Sequence, residues 1–141
     1  MSAASNYLEN KVLDHVLGEG ARNFTSPATL YIALFNNTSG NAATNLEAGT
    51  LTDEVSTSGT AYGRKTVDFA AASSGSAATN VTVTFDTATA SWGTVTHVAV
   101  MDGGTVGAGN VLFYGALTAS KTVDTGDTFQ ISSGNLTVSL A

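Results

Sequence analysis

Valine or phenylalanine alternates with threonine along the stretch Asn80-Val81-Thr82-Val83-Thr84-Phe85. In a β-strand, successive side chains point to opposite faces of the sheet, so Val81, Val83 and Phe85 would share one apolar face. A helix would distribute the same residues around its axis. The stretch therefore predicts a strand of an antiparallel sheet, with one face toward a core and the threonine face toward solvent.

The rest of the chain after Pro27 repeats this signal in short β-branched runs bounded by Gly, Asn, Asp and Ser. We predict eight strands, at residues 28–35, 61–69, 80–85, 95–101, 111–117, 121–123, 128–131 and 136–140. The first and fourth are apolar on both faces, which is typical of central strands. Because no connection carries a helical pattern, the sequence predicts an all-β fold, an antiparallel β-sandwich with a jelly roll as the favoured topology.

Three connections stand out between these strands. Residues 36–58 and 70–79 are rich in Asn, Thr, Ser, Gly and Ala, and the first is far longer than an ordinary loop. We expect such loops to be disordered or held by a neighbour. By contrast, residues 124–127 read Asp-Thr-Gly-Asp, which predicts a tight hairpin between the strands on either side.

The first 20 residues show the period of a helix instead. Ser5 is a suitable N-cap, and Gly18 and Gly20 are suitable stops. The apolar residues recur at spacings of three and four, at Tyr7, Leu8, Val12, Leu13, Val16 and Leu17. We predict an amphipathic helix within residues 1–20 that packs on a sandwich at residues 28–141, in one domain spanning residues 1–141. Docking of the helix on a partner is the alternative.

The composition is poor in charge and rich in hydroxyl groups. Charged residues make up 11% of the chain, and Ser with Thr about a quarter, unlike a helical bundle. The net charge of -6 would repel a phosphate backbone, so we expect no nucleic-acid partner. Glu9 and Asp14 interrupt the N-terminal segment, so we expect neither a signal peptide nor a membrane span. With 0 cysteines, disulfides and Cys-ligated zinc are excluded.

One triplet, Asp124-Thr125-Gly126, has the letters of the aspartic-protease signature. The chain lacks the rest of that site, since only a short C-terminal segment follows in place of the flap and the second hydrophobic strand. A turn is therefore favoured over a protease. Asp124 and Asp127 could also offer oxygen ligands to Ca²⁺, although the calcium-loop pattern is missing. We predict no catalytic residue, no cofactor and no metal site.

His97 and Trp92 are the remaining candidates. His97 could act as a base paired with Asp102 or Asp68, but it lies among valines and no nucleophile motif accompanies it. We predict a packing histidine that makes a hydrogen bond. The single Trp92 is either a core anchor or an exposed contact residue, and the core is favoured.

Several strings, read in order, resemble a family of small virion proteins of tailed phages, common in marine and cyanobacterial phages. They are Ser5-Asn6-Tyr7-Leu8-Glu9-Asn10, Leu13-Asp14-His15-Val16-Leu17, Ser26-Pro27-Ala28-Thr29-Leu30-Tyr31-Ile32-Ala33-Leu34-Phe35, Glu54-Val55-Ser56, Ala61-Tyr62-Gly63-Arg64, Ala90-Ser91-Trp92-Gly93-Thr94-Val95-Thr96-His97-Val98, Leu112-Phe113-Tyr114-Gly115-Ala116-Leu117 and Lys121-Thr122-Val123-Asp124-Thr125-Gly126-Asp127. The family includes proteins described as capsid decoration, tail fibre or simply structural. The resemblance implies a virion structural protein without catalytic residues.

We predict a capsid decoration or cement protein that sits on the outer shell as a homo-oligomer, a dimer or trimer, and bridges copies of the major capsid protein. The alternative is a tail component, such as a tail fibre, fibre tip or adaptor, that binds another tail protein or a host receptor. Either protein would be made in the host cytoplasm and reside in the virion, with no membrane partner. The expected partner contacts are Tyr7, Leu8, Asn36, Asn37, Asn41, Leu46, Leu51, Ser74 and Trp92.

Overall fold

A five-stranded antiparallel sheet organises the chain in the computed structural model, which describes residues 3–140. The strands are β1 Ala3–Ala4, β2 Leu30–Phe35, β3 Lys65–Val67, β4 Ser76–Ala78, β5 Val83–Thr84, β6 Gly93–Met101, β7 Val111–Val123, β8 Gln130–Ile131 and β9 Thr137–Ser139. The large sheet has the order β1-β7-β6-β2-β3, and β4 with β9 and β5 with β8 form two separate antiparallel ladders. The predicted antiparallel β architecture is confirmed at this level, while the sandwich and jelly-roll topology stays a prediction.

The two central strands, β2 and β6, bury side chains on both faces of the sheet. Their register pairs Ile32 with Val100 and Ala33 with Ala99, so neighbouring pairs point to opposite sides. All four residues are at most 4% exposed. The central position predicted from two apolar faces is therefore confirmed for these strands.

One face of the sheet packs on an aromatic cluster. Tyr62, Phe85 and Trp92 meet with ring centroids 5.4 to 6.1 Å apart, and Phe129 joins through Phe85 at 5.8 Å. Most of these pairs are edge-on, the geometry that aromatic quadrupoles favour. The alternating stretch at residues 80–85 supplies Val83 and Phe85 to this core, although Val81 remains 36% exposed. The inward face predicted there is correct for two of its three residues.

The opposite face is covered by residues that the sequence did not identify as regular structure. Residues 3–140 contain two helices, α1 at Asn6–Leu17 and α2 at Ala42–Glu47, and only the first was predicted. Ala42 and Leu46, four residues apart, are the buried residues of α2, and Leu46 packs in one cluster with Phe35 and Met101. A helix of six residues is too short to show a recognisable period in a run of small polar residues.

Several strand boundaries also differ from the prediction. β7 runs without interruption through Val111–Val123, where two strands were expected, and its register against β6 shifts between Val95 and His97. β4 lies inside residues 70–79, which were expected to be a loop. The hairpin predicted at residues 124–127 is wrong, because β7 pairs with β6 whereas β8 pairs with β5. This turn joins two different sheets.

α1 begins at Ser5, as predicted, and the same residue fixes the helix to β7. The hydroxyl group accepts the backbone N–H of Leu8 and donates to the carbonyl of Val111, while the N–H of Ser5 donates to Leu112 at 3.0 Å. Gly18 ends the helix in the left-handed region, with φ of 84°. Within residues 3–140, no helix has both the length and the apolar character needed to cross a membrane.

Candidate functional site

Two loop segments, residues 36–58 and 102–110, are joined by internal polar bonds, and we call them together the loop platform. Residues 36–58 connect β2 to the segment before β3, and residues 102–110 connect β6 to β7. The bonds described below attach both segments to the side chains of Glu54 and Arg64. Long loops with such support are common sites of binding function.

Glu54 and Arg64 form a buried bidentate ion pair at the centre of the loop platform. The Nε atom of Arg64 donates to Oε1 of Glu54 at 2.7 Å and an Nη atom donates to Oε2 at 2.8 Å. The two side chains are 3% and 0% exposed, respectively. Burying two charges is costly, and this parallel geometry recovers part of that cost through two charge-assisted hydrogen bonds.

The same two side chains hold the glycine-rich loop through its backbone. Arg64 donates to the carbonyl oxygens of Gly103 at 2.7 Å and Ala108 at 2.8 Å, and Glu54 accepts the N–H of Gly107 at 2.8 Å. The guanidinium group of Arg64 and the carboxylate of Glu54 are therefore bound by other groups of the protein itself. The backbone of this loop thus binds the protein's own charged groups.

Tyr62 links the ion pair to the edge of β2. Its hydroxyl group accepts the backbone N–H of Leu34 at 2.9 Å and donates to Oε1 of Glu54 at 3.1 Å. Burial raises the pKa of Tyr62 far above its ordinary value, and the negative charge of Glu54 raises it further. The phenol therefore stays protonated and serves as a fixed donor and acceptor.

Asp53 organises the outer part of residues 36–58. Its carboxylate accepts hydrogen bonds from the backbone N–H of Ser39 at 2.8 Å, and from the side chains of Ser39, Thr38 and Asn45. Burial opposes ionisation of this carboxyl group, but the hydrogen bonds from Ser39, Thr38 and Asn45 outweigh burial and lower its pKa. The long loop is thus held by a charge within its own segment.

Four of the nine predicted contact residues are placed at the surface of the loops. Asn37 and Asn41 are exposed on the loop platform, and Asn36 beside them is half-buried. Asn37 uses its side-chain oxygen to accept the N–H of Ala42 at 2.8 Å, which supports the start of α2. Ser74 is exposed in a different loop with φ of 51°.

The other five are partly or fully removed from solvent. Tyr7 and Leu51 are half-buried against the core, whereas Leu8, Leu46 and Trp92 are 5%, 1% and 3% exposed. The indole N–H of Trp92 donates to the carbonyl of Thr60 at 2.8 Å, so its polar group is satisfied internally. In this conformation Leu8, Leu46 and Trp92 pack inside the fold, and their assignment as partner contacts stays a prediction.

The residues considered for chemistry are engaged in local structure. Asp102 accepts two hydrogen bonds from Asn110, each of 2.7 Å, and does not pair with His97. The ring of His97 is half-buried, with Nδ1 2.8 Å from the hydroxyl of Thr96. Burial lowers the pKa of His97, and the charge of Asp53 opposes that change.

The Asp-Thr-Gly triplet lies in an exposed turn. Oδ2 of Asp127 accepts the N–H of Asp124 at 2.9 Å, and Gly126 has φ of 92°. This is the backbone role that Asp and Gly have in turns. Across residues 3–140, no group of three or more His, Cys, Asp or Glu side chains is arranged to hold a metal ion.

Sequence reasoning missed the residues at the centre of the loop platform. Glu54 and Arg64 were noticed only as parts of family strings. One signal was available. The chain has only five Lys and Arg residues, and Arg64 lies between Tyr62 and a strand, which makes it a candidate for an internal ion pair. Its partner, ten positions earlier, cannot be identified from spacing.

Comparison with known families assigns the chain to the structural proteins of phage virions. It belongs to the family described as Podophage GP4 fiber I protein gp80, whose profile matches residues 3–139. The match confirms the resemblance to a tailed-phage virion family and makes the protein a virion component. A comparison with curated proteins finds no significant match.

Proposed function

We propose that this protein is a structural component of a podophage tail fibre. The observation that carries the proposal is the family match over residues 3–139, which includes every strand and both helices. The fibre named in the family description favours the tail over the capsid shell, which was the main prediction from the sequence. The tail alternative therefore becomes the proposal, and capsid decoration becomes an outcome of its test.

The internal bonding of the chain supports a structural and non-enzymatic role. A fibre component must keep its shape while it connects the virion to another surface. In the described chain, residues 3–140, every buried side-chain polar atom has a hydrogen-bond partner. Satisfied buried networks of this kind favour one rigid conformation, and here they hold the long loops that would otherwise be flexible.

We also infer that the two small ladders form the second layer of a sandwich. Val83 of β5 and Ile131 of β8 belong to the same buried cluster as Ile32, Leu34 and Val98 of the large sheet. This shared core supports a layer stacked on the sheet, as predicted from sequence, within one domain. The inference is tested by the effect of Val83→Ala, which should destabilise the whole chain cooperatively.

The exposed part of the loop platform is our proposed attachment surface. Asn37, Asn41 and Thr44 are exposed there and offer amide and hydroxyl groups with no net charge. Such groups form hydrogen bonds at low desolvation cost, which suits contact with another tail protein or with a host glycan. Repetition of the contact in a homo-oligomer would raise its total strength.

Imaging of purified virions with an antibody against this chain tests the tail proposal. We expect label on the tail and a copy number typical of an appendage, measured by quantitative gel bands of the same particles. Label distributed over the head, with a copy number that matches the capsomers, would reject the fibre proposal in favour of capsid decoration. Absence of the chain from purified virions would reject both.

Ala43→Arg tests the attachment surface, since Ala43 is exposed on α2. A large charged side chain there should reduce incorporation of the protein into virions without changing its melting temperature. Thr84→Arg is the control, because Thr84 is also exposed and lies on β5, outside the loop platform. Normal incorporation of Ala43→Arg would show that the platform is not the attachment surface, independently of where the antibody label lies.

A further inference from the structure

A cleft opens beside the turn at residues 124–127, where β7 and β8 separate. The two strands do not pair with each other after this turn, because β7 pairs with β6 and β8 pairs with β5. The space between them has a volume of about 630 Å³, within the range of sites that bind small molecules. None of the described residues that line it belongs to the loop platform, so the cleft is a separate surface.

The rim of the cleft carries polar side chains that the protein itself does not use. Within residues 3–140, the side chains of Thr118, Lys121, Ser132 and Asn135 make no hydrogen bond or ion pair, and all four are exposed. Asp127 accepts one N–H of its own turn through Oδ2, which leaves Oδ1 available. The rim therefore offers both donors and acceptors of hydrogen bonds at one place.

The deeper part of the cleft lining is apolar. Val123, Phe129 and Ile131 are 3%, 7% and 9% exposed there, and Leu117 beside them is half-buried. The ring of Phe129 packs edge-on against Phe85, so it offers no open aromatic face to a ligand. An apolar base below a polar rim suits a molecule that has C–H groups on one side and hydroxyl groups at its edge.

The two charges that line the cleft favour a neutral ligand. Lys121 and Asp127 contribute one charge of each sign. An anion would be repelled by the carboxylate of Asp127, and a cation by the ammonium group of Lys121. The net charge of -6 on the whole chain disfavours a phosphate or carboxylate ligand further. A neutral molecule that both donates and accepts hydrogen bonds uses the two charged groups without repulsion.

We propose that this cleft binds a neutral saccharide. Sugar hydroxyl groups donate and accept hydrogen bonds, as the rim requires, and the C–H groups of a sugar ring match the apolar base. A peptide strand fits less well, because the edge of β7 is irregular here. Val95 of β6 pairs with Lys121 but His97 pairs with Ala116, so residues 117–120 have no register partner on β6. A bulged edge does not present a regular row of backbone groups to an added strand.

The affinity of one cleft should be low. No aromatic face is available for stacking, and the rim groups must give up water to bind the sugar, so we expect a Kd of roughly millimolar order. Several copies in a tail fibre would bind a repeating saccharide more strongly. The cleft acts in the isolated chain, so this proposal can fail while the tail location stands, and the reverse also holds.

NMR spectroscopy of the isotope-labelled full chain tests the binding. The probes are four neutral disaccharides at tens of millimolar, namely lactose, maltose, cellobiose and N,N′-diacetylchitobiose. We expect at least one of them to shift the backbone amide signals of residues 117–123 and 127–135 in a saturable way, while signals of the loop platform stay unchanged. No saturable shift in the cleft with any of the four, or shifts confined to the loop platform, overturns the proposal.

Lys121→Ala and Asn135→Ala show whether the rim side chains hold the sugar. Both positions are exposed, so the melting temperature should not change, while binding of the same disaccharide should weaken roughly threefold to tenfold in each variant. Asn23→Ala is the control, since it removes an exposed amide outside the cleft and should bind like the parent. Parent-like binding by both cleft variants overturns the proposal.

The peptide Thr-Val-Thr-Val-Thr-Val is the competing probe in the same NMR measurement. We expect it to leave the amide signals of the cleft unchanged, because the irregular edge of β7 does not support strand addition. Saturable binding of this peptide at residues 117–123, with no response to any disaccharide, would identify a strand-binding edge and overturn the saccharide proposal.

Discussion

The hydroxyl group of Tyr62 accepts the backbone N–H of Leu34 at 2.9 Å, at a position on β2 beyond its last pairing with β3. The last pair of that ladder is Ile32 with Lys65. A side chain thus takes the place of a strand carbonyl at the edge of the sheet. The same hydroxyl donates to Glu54, so the sheet edge and the loop platform are joined through one atom.

Tyr62→Phe removes that atom and keeps the ring in the aromatic cluster. We expect a loss of roughly 1–3 kcal/mol in the free energy of unfolding, because the N–H of Leu34 becomes unsatisfied in a buried place. Chemical denaturation measures the change. Tyr114→Phe serves as the control, since Tyr114 is half-buried on the same sheet and makes no hydrogen bond with residues 3–140 through its hydroxyl. Equal effects of the two variants would contradict the role assigned to Tyr62.

Arg64→Met leaves the carboxylate of Glu54 buried without its counter-charge. The free energy of unfolding should fall by roughly 3–5 kcal/mol, and the double variant Glu54→Gln/Arg64→Met should be less affected than this single one. Lys65→Met is the control at the next position, where the pair with Asp86 has side chains 29% and 66% exposed. Its loss should cost about 1 kcal/mol or less.

Hydrogen exchange measures the second consequence of Arg64→Met. Residues 103–109 should lose amide protection more than the central strands do, because Arg64 binds the carbonyl oxygens of Gly103 and Ala108. If Arg64→Met unfolds globally, the same exchange measurement is made on the double variant Glu54→Gln/Arg64→Met, in which both charges are absent. Unchanged protection of this loop in a folded variant would show that the ion pair does not hold it.

Asp53→Asn should have a lower melting temperature than the parent at neutral pH, and this difference should disappear in acid. The pKa of Asp53 is lower in the folded chain than the ordinary value of about 3.9, so the folded state binds fewer protons than the unfolded state as pH falls. The stabilisation is complete above about pH 4–5 and is lost as pH falls through the folded pKa. Melting temperatures across this range should converge for the parent and Asp53→Asn.

Asp86→Asn provides the comparison for that pH series, because the Asp86 side chain is 66% exposed. Its melting temperature should stay close to that of the parent at every pH. If Asp53→Asn followed the same course as Asp86→Asn, the hydrogen bonds of Asp53 would not stabilise its charge. The helical content should remain unchanged in both variants at neutral pH if only the loop is affected.

Ser5→Ala should loosen the start of α1. The variant loses the cap on Leu8 and the hydrogen bond to Val111, and we expect a cost of about 1–2 kcal/mol in the free energy of unfolding. Cleavage by trypsin after Lys11, which lies inside α1, should become faster while the rest of the chain stays resistant. Ser26→Ala, at an exposed loop position, should change neither property.

Local patterns were sufficient to predict the central strands and the N-terminal helix. β2 and β6 can be recognised because their long apolar runs must be buried on both faces. Ser5 and Gly18 are residue types that are preferred at the ends of helices. The alternating stretch was correctly oriented at Val83 and Phe85. It nevertheless forms only two residues of strand, because β5 pairs with the equally short β8.

The candidate site was much less accessible from sequence. Polar residues in a long loop favour the surface, and the structure does expose Asn37 and Asn41, while their contact with a partner stays a prediction. The burial of Leu46 was not foreseen, because a six-residue helix gives no clear period in the sequence. Glu54 and Arg64 depend on a contact between distant segments, which no local spacing encodes.

The attachment of residues 102–110 to Arg64 and Glu54 uses backbone atoms alone at Gly103, Gly107 and Ala108, and Val106 packs against the core, which leaves the side chain of Thr105 without a structural role. Thr105 is exposed there, and its replacement would not disturb the carbonyl and amide groups that Arg64 and Glu54 bind. A loop held in this way tolerates mutation at its exposed positions, while the path of its backbone is preserved. Such tolerance would allow the sequence of this tip to vary without a change in the protein beneath it.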